Sequence, residues 1–499
     1  MLEQAVALTL CNPFSPERAE AERRAFGGGG NVGGGRAALT QTTEAGDAAA
    51  AYRHFMRRVD RATHRVRRVL IERGVQRDQD AVVYRAASLH LLYHEMVERG
   101  DTGRLREPRA AATVFDRFEA AFKERLILYG VDLPGDPDAA HGFACLAQIT
   151  RAFEAVYANL LGRSAPAVRL RAACWESVFT HDIAAYVDGV YRQMPDFTTL
   201  ITGPSGTGKE LVAQAIGGSG YVAFDPATRR FVGGAEVLPV NLAALSTTLI
   251  ESELFGHKRG AFTGAIADRE GYLDACTSSG CVFLDEIGDL EPVVQVKLLR
   301  VLQERVFTRV GETRARPFRG KLVVATHRDL PALMASGSFR QDFFYRVCSD
   351  TVRTPSLLEQ LSDRPEDLEI FVRHLGKRAL GRAEHVLEPL VERTLQWVRE
   401  RLDRPGRPYP WPGNIRELEQ CVRSVLLHGV YHPPEPGSPV HGERSEEAGF
   451  AAWMAEGQTA EQVHDAYVRY LRAGCGSDAA AARAAGLDRR TVKRICETS

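Results

Sequence analysis

The chain has 499 residues, 44% of them hydrophobic and 26% charged, and its 64 lysines and arginines match its 64 aspartates and glutamates. This length exceeds one ordinary core and predicts about three or four domains. Because we find neither a long apolar run nor a secretory signal pattern, we expect a cytoplasmic protein with no membrane partner. The nine scattered cysteines include no C-x-x-C pair, which indicates reduced thiols and argues against a zinc site.

The first third of the chain is predicted to be helical. Residues 1–45 contain two glycine runs, Gly27–Gly30 and Gly33–Gly35, which are typical of a flexible spacer, and ordered structure is expected only after them. From 46 to 170 the apolar residues recur at helical spacing, and the pattern as far as Leu161 predicts four helices. A mostly α domain is therefore expected behind a flexible start.

The middle of the chain changes to short β-rich segments separated by helical ones. The four predicted strands are 199–202, 238–241, 281–284 and 321–325. This alternation indicates a parallel sheet with helices on both faces. Helical periodicity returns from 353 to 430. Residues 431–454 are rich in proline and glycine, which is typical of a linker, and a small helical unit follows at 455–499.

A glycine-rich loop joins the first predicted strand to a helix. Glycines let the backbone curl so that successive N–H groups converge on phosphate oxygens, and the helix N-terminus adds positive potential. Lys209 then reaches the β- and γ-phosphates, whereas Glu210 stands where such loops usually have a magnesium-binding Ser or Thr. The sequence therefore predicts a nucleotide site at Gly203, Pro204, Ser205, Gly206, Thr207, Gly208, Lys209 and Glu210.

Two carboxylates follow the third predicted strand. Asp285 and Glu286 come directly after four apolar residues, which places them at the carboxyl edge of the sheet, where parallel sheets bind ligands. We expect Asp285 to hold Mg²⁺, with Glu210 assisting through water, and Glu286 to orient and deprotonate the attacking water. The alternative is an exposed acidic pair at a strand end, which the preceding phosphate loop disfavours.

Five motifs together resemble a known family. They lie at 203–210, 251–257, 260–265, 283–288 and 411–418. With them the chain resembles the sigma-54-dependent transcription activators, or bacterial enhancer-binding proteins, which are AAA+ ATPases. The resemblance covers residues 179–430 strongly and the tail moderately, and it does not reach the N-terminal domain. It implies an AAA+ sheet with a helical lid, ATP as substrate and Mg²⁺ as cofactor; Glu210 fits, because a glutamate usually follows the phosphate-loop lysine in this family.

The resemblance implies further roles at the nucleotide site. Asn241 would pair with Glu286 and restrain it until nucleotide and ring contacts release it; the alternative is a strand-terminal asparagine bonded to backbone. Thr326 and His327 would lie near the γ-phosphate as sensor I, with a purely structural histidine as an equal alternative at 327. Arg416 would reach the nucleotide from the lid as sensor II.

Arg340 and Arg346 resemble the arginine fingers of the family, which act on the nucleotide of a neighbouring subunit. A guanidinium suits this role because it stays charged and spreads several donors over phosphate oxygens. From the residues alone, solvated helix arginines are the alternative. Fingers supplied in trans imply a homo-hexameric ring, assembled from a smaller resting form such as a dimer.

The segment from Gly260 to Ala265 has no evident catalytic side chain. Two glycines bracket an aromatic residue and a threonine, as a mobile partner-binding loop requires, and a surface hairpin tip is the alternative. In the family this loop contacts sigma-54 and couples hydrolysis to promoter opening, and residues 307–312 resemble the second loop that moves with it. The implied contacts with sigma-54 RNA polymerase are Gly260, Ala261, Phe262, Thr263, Gly264 and Ala265.

The end of the chain predicts a helix-turn-helix. Residues 478–485 are an alanine-rich helix, Gly486 is the turn, and Asp488 caps a second helix. This pair would bind upstream enhancer DNA, with an ordinary surface helix pair as the alternative. The residues expected to face the major groove are Arg489, Arg490, Thr491, Lys493 and Arg494.

The N-terminal domain senses a signal in the family, but this sequence does not identify the signal. His90, His94 and Glu95 could place metal ligands on one helical face, although core or solvated histidines are favoured. Two other classes of protein stay open for the whole chain. One is an AAA+ remodeller unrelated to transcription, which would lack both the six-residue loop and the helix-turn-helix. The other is a DNA-binding protein with an inactive ATPase; the residues that argue against it are Lys209, Asp285, Glu286 and Arg340.

The predicted fold class is multidomain α/β: a mostly α N-terminal domain, an AAA+ P-loop parallel sheet with helices on both faces, a helical lid and a helix-turn-helix. The predicted boundaries are 1–45 for the first segment and spacer, 46–170 for the regulatory domain, 171–352 for the α/β ATPase subdomain, 353–430 for the lid, 431–454 for the linker and 455–499 for the helix-turn-helix.

Overall fold

The computed structural model describes residues 2–26, 46–135, 138–381, 383–402, 409–433 and 487–497, together with residues 468 and 482. The chain divides into two compact units, residues 1–431 and residues 432–499. The predicted linker and nearly all of the first helix of the predicted helix-turn-helix lie outside the described residues. No helix within the described ranges is long and apolar enough to cross a membrane.

Helices make up the first part of the chain. Their bounds are α1 Leu2–Leu10, α2 Pro16–Phe26, α3 Gly46–Arg73, α4 Asp78–Glu98, α5 Pro108–Leu126, α6 Ala139–Asn159, α7 Ala165–Phe179 and α8 Ile183–Asp188. The four helices predicted up to Leu161 are confirmed as α3 to α6. The expectation that order begins only after the glycine spacer is wrong, because α1 and α2 precede it. Ala5 and Leu8 of α1 are buried against Tyr52 and Phe55 of α3, so the first helix completes a core with residues beyond the spacer.

A five-stranded parallel sheet forms the centre of the molecule. Numbered in chain order together with the four short strands given below, its strands are β1 Thr199–Thr202, β4 Val237–Asn241, β5 Cys281–Asp285, β8 Lys321–Thr326 and β9 Asp350–Arg353. They lie side by side in the order β4-β5-β8-β1-β9. All four predicted strands are confirmed, and β9 was missed. The reason is visible in β9 itself, where Val352 is the one buried residue among polar neighbours, as is typical of an edge strand.

Short strands and helices connect and cover the sheet. They are α9 Lys209–Gly217, β2 Phe224–Asp225, β3 Arg230–Phe231, α10 Thr247–Phe255, α11 Tyr272–Ala275, α12 Pro292–Glu304, β6 Val306–Phe307, β7 Arg316–Pro317, α13 Leu330–Ala335 and α14 Gln341–Val347. Because successive strand residues point to opposite faces, Leu284 and Val324 join one core with α12, whereas Phe283 and Val323 join another with α9. Both faces of the sheet are thus buried, as the apolar strands predicted.

The second of these cores, which packs against α9, also includes side chains of the helical domain. Phe153 of α6 and Trp175 of α7 belong to the same buried cluster as Val212 and Ile216 of α9. The boundary predicted between residues 170 and 171 falls inside α7 (Ala165–Phe179). The helical domain and the sheet therefore share one apolar layer in this structure.

The lid contains α15 Leu357–Asp363, α16 Asp367–Leu380, α17 Leu387–Trp397 and α18 Asn414–His428, which enclose a core of their own. The turn into α18 is tied by Glu417, whose carboxylate accepts the backbone N–H of Gly413 at 2.7 Å and the hydroxyl of Tyr409 at 2.7 Å. Trp411 and Asn414 have positive φ angles of 47° and 52°, so the lid approaches the sheet through a sharp, side-chain-held turn. The last described helix of the chain is α19 Arg489–Glu497.

Candidate active site

The residues predicted to bind the nucleotide lie together at the carboxyl edge of the sheet. Gly203 follows β1. Thr326 is the last residue of β8, and His327 follows it; β8 lies between β1 and β5. Asp285 ends β5 and pairs in register with Asn241 of β4. Four neighbouring strands therefore deliver these side chains to one edge, where open parallel sheets bind ligands.

The phosphate loop is held in a tight curl by its glycines. Gly206 and Gly208 have φ angles of 77° and 91°, which residues with a Cβ rarely adopt. A Cβ on Gly206 would lie only 2.3 Å from the carbonyl oxygen of Gly413 in the lid turn. Thr207 fixes the curl from inside, because its hydroxyl donates to the carbonyl of Pro204 at 2.8 Å and lies 2.7 Å from the hydroxyl of Thr354.

Lys209 is buried at the first position of α9, with 8% of its surface exposed. Its Nζ donates to the carbonyls of Gly203 at 3.2 Å and Pro204 at 3.3 Å, so the ammonium lies against the loop. Burial lowers the pKa of Lys209, and the negative charges of Glu286 and Asp285 oppose that shift. The lysine thus joins the loop electrostatically to the acidic pair.

Asp285 carries an electrostatic cost in this arrangement. Burial raises its pKa, the neighbouring negative charge of Glu286 raises it further, and Lys209 partly offsets both. Its Oδ1 accepts the backbone N–H of Glu286 at 3.1 Å, which holds the carboxyl group beside the strand end. A carboxylate in such surroundings gains stability when a cation binds it.

Glu286 is held by His327 and not by Asn241. Its Oε2 accepts two hydrogen bonds from His327, one from the ring Nδ1 at 2.8 Å and one from the backbone N–H at 3.3 Å. The Oδ1 of Asn241 instead accepts the backbone N–H of Ala243 at 3.1 Å and caps the turn after β4. The Asn241–Glu286 pair implied by the family is therefore not formed in this structure, and the alternative of a backbone-bonded asparagine describes Asn241. Glu286 itself has a φ of 60°, which turns its side chain toward β8.

Thr326 is fully buried and makes a structural contact. Its hydroxyl accepts the backbone N–H of Arg328 at 3.0 Å, which shapes the turn that carries His327. A Cβ on Gly288 would come within 3.0 Å of the Thr326 hydroxyl oxygen, so this turn and the one after Glu286 pack closely. Thr326 therefore positions His327 next to Glu286.

The lid reaches the phosphate loop through two side chains. Arg416 Nη1 donates to the hydroxyl of Ser205 at 3.3 Å, which places it beside the phosphate loop. Asn414, to which the motif at 411–418 assigned no role, makes the firmer contact: its Nδ2 donates to the carbonyl of Ser205 at 2.9 Å, and its Oδ1 accepts the N–H of Leu357 at 2.9 Å. Its position at the start of a helix, directly after a Pro-Gly pair, was the signal that could have found it.

Arg340 and Arg346 lie outside this cluster and make contacts within their own region. Arg340 is exposed and donates to both carboxylate oxygens of Asp342, at 3.0 and 2.7 Å. Arg346 donates through Nε and Nη2 to the carbonyl of Leu302, at 3.2 and 3.0 Å. Both guanidinium groups are therefore anchored near the surface.

The predicted surface loop is a closed turn. Gly260 N–H donates to the carbonyl of Ala265 at 2.9 Å, and the Phe262 ring lies 4.9 Å from that of His257. Thr263 is exposed at the tip. The backbone N–H of Lys258, two residues before the turn, donates to the carbonyl of Val310 at 3.0 Å, so this loop and the second predicted loop are joined.

The tail helix agrees in part with its prediction. Asp488 caps α19, since its Oδ1 accepts the N–H groups of Arg490 at 2.7 Å and Thr491 at 3.2 Å. Val492 and Ile495 are buried. Arg490, Lys493 and Arg494 are exposed. The helix predicted before it lies, except for Ala482, outside the described residues, and the side chain of Arg489 is also outside them.

The histidines of α4 are structural. His90 is buried beside Tyr52, with its Nε2 3.3 Å from the tyrosine hydroxyl, and burial lowers its pKa to about 3. His94 Nε2 lies 3.2 Å from a carboxylate oxygen of Glu98. Among the described residues no group of three or more His, Cys, Asp or Glu side chains could hold a metal ion. The metal idea for α4 therefore gains no support.

Comparison with known proteins identifies the central region. A family model described as "Sigma-54 interaction domain" matches residues 180–353. The transcriptional regulatory protein ZraR of Escherichia coli (strain K12) is 42% identical over 237 residues, which are 47% of this chain and 48% of ZraR. The Nif-specific regulatory protein of Azotobacter vinelandii is 41% identical over 231 residues, 46% of this chain and 40% of that protein.

The chain spans about half the length of the curated relatives it matches. A solved structure of NtrX from Brucella abortus in complex with ATP aligns with 72% of this chain and 76% of its own, at 23% identity and a TM-score of 0.41. Residues 180–353, which contain the five-stranded parallel sheet, therefore match the sigma-54 interaction domain, and over this region the chain is similar to ZraR and to the Nif-specific regulatory protein.

Proposed function

We propose that this protein is an ATP-hydrolysing transcription activator that remodels sigma-54 RNA polymerase. The observation that carries the proposal is that the phosphate loop, the acidic pair and two lid side chains converge at one sheet edge, while the loop 260–265 projects from the same α/β subdomain. Such an arrangement can couple a nucleotide's state to a partner-binding surface.

ATP would bind on the phosphate loop beneath the lid. The backbone of Gly203–Gly208 offers N–H groups to phosphate, Lys209 adds a positive charge, and Arg416 closes over Ser205. Burial and the charge of Glu286 make ionised Asp285 unfavourable without a cation, and its carboxylate oxygens are ligands that suit Mg²⁺. Proteins commonly hold this ion with one or two carboxylates, substrate phosphates and water. Asp285 would hold the ion, with Glu210 at the loop end assisting through water. The bound ion would neutralise charge on the phosphates.

Glu286 would act as the general base for the attacking water. While His327 donates to its Oε2, that oxygen is less available to accept a proton, so His327 restrains the base in this state. Rotation of His327 or Glu286 would free the carboxylate. In this chain His327 therefore takes the restraining part that the family resemblance assigned to Asn241.

The arginines would act between subunits. Arg340 and Arg346 are anchored at the surface of their own chain, by Asp342 and by the carbonyl of Leu302, and can be presented to the nucleotide of a neighbour. This use requires a homo-hexameric ring, with a smaller form such as a dimer at rest.

At the other end of the chain, the exposed basic side chains of α19 would bind enhancer DNA, with avidity from the oligomer.

The surface loop would carry the output. Thr263 is exposed at its tip, and Phe262 is partly covered by His257, so the loop can present one hydroxyl and one aromatic edge to sigma-54. The hydrogen bond from Lys258 to Val310 would make both loops move together.

A direct test separates output from hydrolysis. In transcription assays with purified sigma-54 polymerase, Thr263→Ala is expected to abolish activation while ATP hydrolysis stays close to wild type, because the exposed Thr263 makes no side-chain hydrogen bond to the nucleotide site among the described residues. Thr228→Ala, an exposed threonine in the β2–β3 turn, is the matched control and should preserve both activities. Full activation by Thr263→Ala would refute the role of the loop, and a wild-type chain that hydrolyses ATP without activating would favour an unrelated remodeller.

A further inference from the structure

The helical domain holds a cavity of about 140 Å³ that the proposed function does not use. Apolar side chains of α1, α4, α6, α7 and α8 form most of its wall, among them Leu8, Leu89, Leu146, Ile149 and Ile183. Its volume is similar to that of a cavity of about 150 Å³ that binds benzene in another protein. A molecule with a single ring therefore fits it.

Two buried N–H groups without partners belong to side chains that line this cavity. Arg18 is 3% exposed and Trp175 is 2% exposed. The Nη2 of Arg18 and the Nε1 of Trp175 have no hydrogen-bond partner among the described residues. Buried donors are almost always paired in proteins, because an unpaired one loses its bonds to water without replacement. A ligand that accepts hydrogen bonds would therefore pair these two donors.

The charges around the cavity decide what kind of acceptor fits. Arg18 Nε donates to Glu22 Oε1 at 2.8 Å, and its Nη1 donates to the carbonyl of Leu8. Arg85, on the same wall, donates to Asp188 at 2.7 Å. Each lining guanidinium thus already faces a carboxylate, and an anionic ligand would add an uncompensated negative charge to an apolar space. An uncharged acceptor avoids that cost.

We propose that this cavity binds an uncharged, mainly apolar molecule of single-ring size that bears a carbonyl oxygen, and that the oxygen accepts from Arg18 Nη2 and Trp175 Nε1. The ring would occupy the space between Leu89 and Ile149, and the oxygen would satisfy the two donors. The helical domain is then a small-molecule receptor. This assignment concerns binding and is independent of the transcription activity proposed above.

The experiment is calorimetric titration of the full chain with three probes of similar size: acetophenone, ethylbenzene and sodium benzoate. Acetophenone is expected to bind at one site, about tenfold more tightly than ethylbenzene, which has the ring and lacks the acceptor. Benzoate, which has the acceptor and a charge, is expected to bind more weakly than acetophenone. Equal affinity for acetophenone and ethylbenzene, tighter binding of benzoate, or no heat from acetophenone at its solubility limit would each overturn the proposal.

Two variants locate the site. Trp175→Phe keeps an apolar ring and removes one donor, so acetophenone should bind about threefold to tenfold more weakly while ethylbenzene is unaffected. Trp397→Phe, in the lid, is the matched control and should change neither affinity. Ala86→Leu fills the cavity from α4 and should abolish binding of both probes, and its thermal unfolding checks that it folds. Unchanged binding in Trp175→Phe and in a folded Ala86→Leu would place the probe elsewhere.

Discussion

The carboxyl edge of the sheet and the cavity of the helical domain arrange their polar groups in opposite ways. At the edge, polar side chains stand in short contiguous motifs and bond to protein groups nearby, as Glu286 bonds to His327 and Asn414 bonds to the carbonyl of Ser205. In the cavity, Arg18 and Trp175 come from distant parts of the chain and each keeps a buried N–H without a partner among the described residues. Within the described residues, the polar groups of the edge are thus bonded to the protein, whereas two donors of the cavity are not.

The contrast between the carboxyl edge of the sheet and the cavity is lost if the edge is not catalytic. Glu286→Gln keeps the shape of the side chain and removes its basicity, so ATP should still bind while hydrolysis falls at least ~100-fold, as for other lost general bases. Steady-state phosphate release and binding of a fluorescent ATP analogue measure the two effects. Glu304→Gln, an exposed glutamate on α12, is the control and should behave as wild type. Near-normal turnover in Glu286→Gln would remove the assigned base.

A smaller effect is expected from the lid contact that only the fold revealed. Asn414→Ala removes the hydrogen bonds to Ser205 and Leu357 and leaves the loop carbonyl without its lid partner, so the affinity for ATP should fall about tenfold. Equilibrium binding of a fluorescent ATP analogue is the measurement. Ser424→Ala, which removes a hydrogen bond at the far end of α18, serves for comparison. An unchanged affinity would mean that the lid contact does not support nucleotide binding.

A change of a few fold should follow when the restraint on the base is removed. His327→Ala frees Glu286 Oε2 from a 2.8 Å hydrogen bond, so basal hydrolysis in the absence of polymerase should rise about threefold. Asn241→Ala should leave basal hydrolysis close to wild type, because Asn241 bonds to the turn after β4. A fall in basal rate for His327→Ala, or a rise for Asn241→Ala alone, would return the switch to the assignment made from the family.

The last expected effect concerns stability rather than turnover. The pKa of Asp285 is raised by burial and by Glu286, so ionising it costs more in the folded chain than in the unfolded chain. The native state therefore becomes less stable as pH rises from the unfolded pKa through the raised native one. Asp285→Asn should thus stabilise the nucleotide-free protein at pH 7, by on the order of 1 kcal/mol, and lose this advantage in strong acid. Urea unfolding at both pH values is the measurement; a destabilised variant at pH 7 would contradict the electrostatic argument.

The motifs of the edge were predictable because their chemistry depends on consecutive residues. The glycine curl before Lys209 and the position of Asp285 after an apolar strand follow from local rules. The partner of Glu286 did not follow, because β8 and the turn after it bring His327 to that carboxylate, and the chain gives no local sign of this. The strand β9 and the helix α1 were missed for a similar reason, since each is stabilised by residues far away in sequence.

The apolar layer shared by Trp175, Phe153 and Ile216 has a consequence for how such a chain can evolve or be engineered. A sensor attached by a free linker can be exchanged for another without disturbing the motor. Here α6 and α7 are part of the cover of the sheet, so a transplanted N-terminal domain would have to bring a matching apolar face, and a truncated chain would expose one. The helical domain and the domain that contains the sheet are therefore expected to be inherited together rather than shuffled.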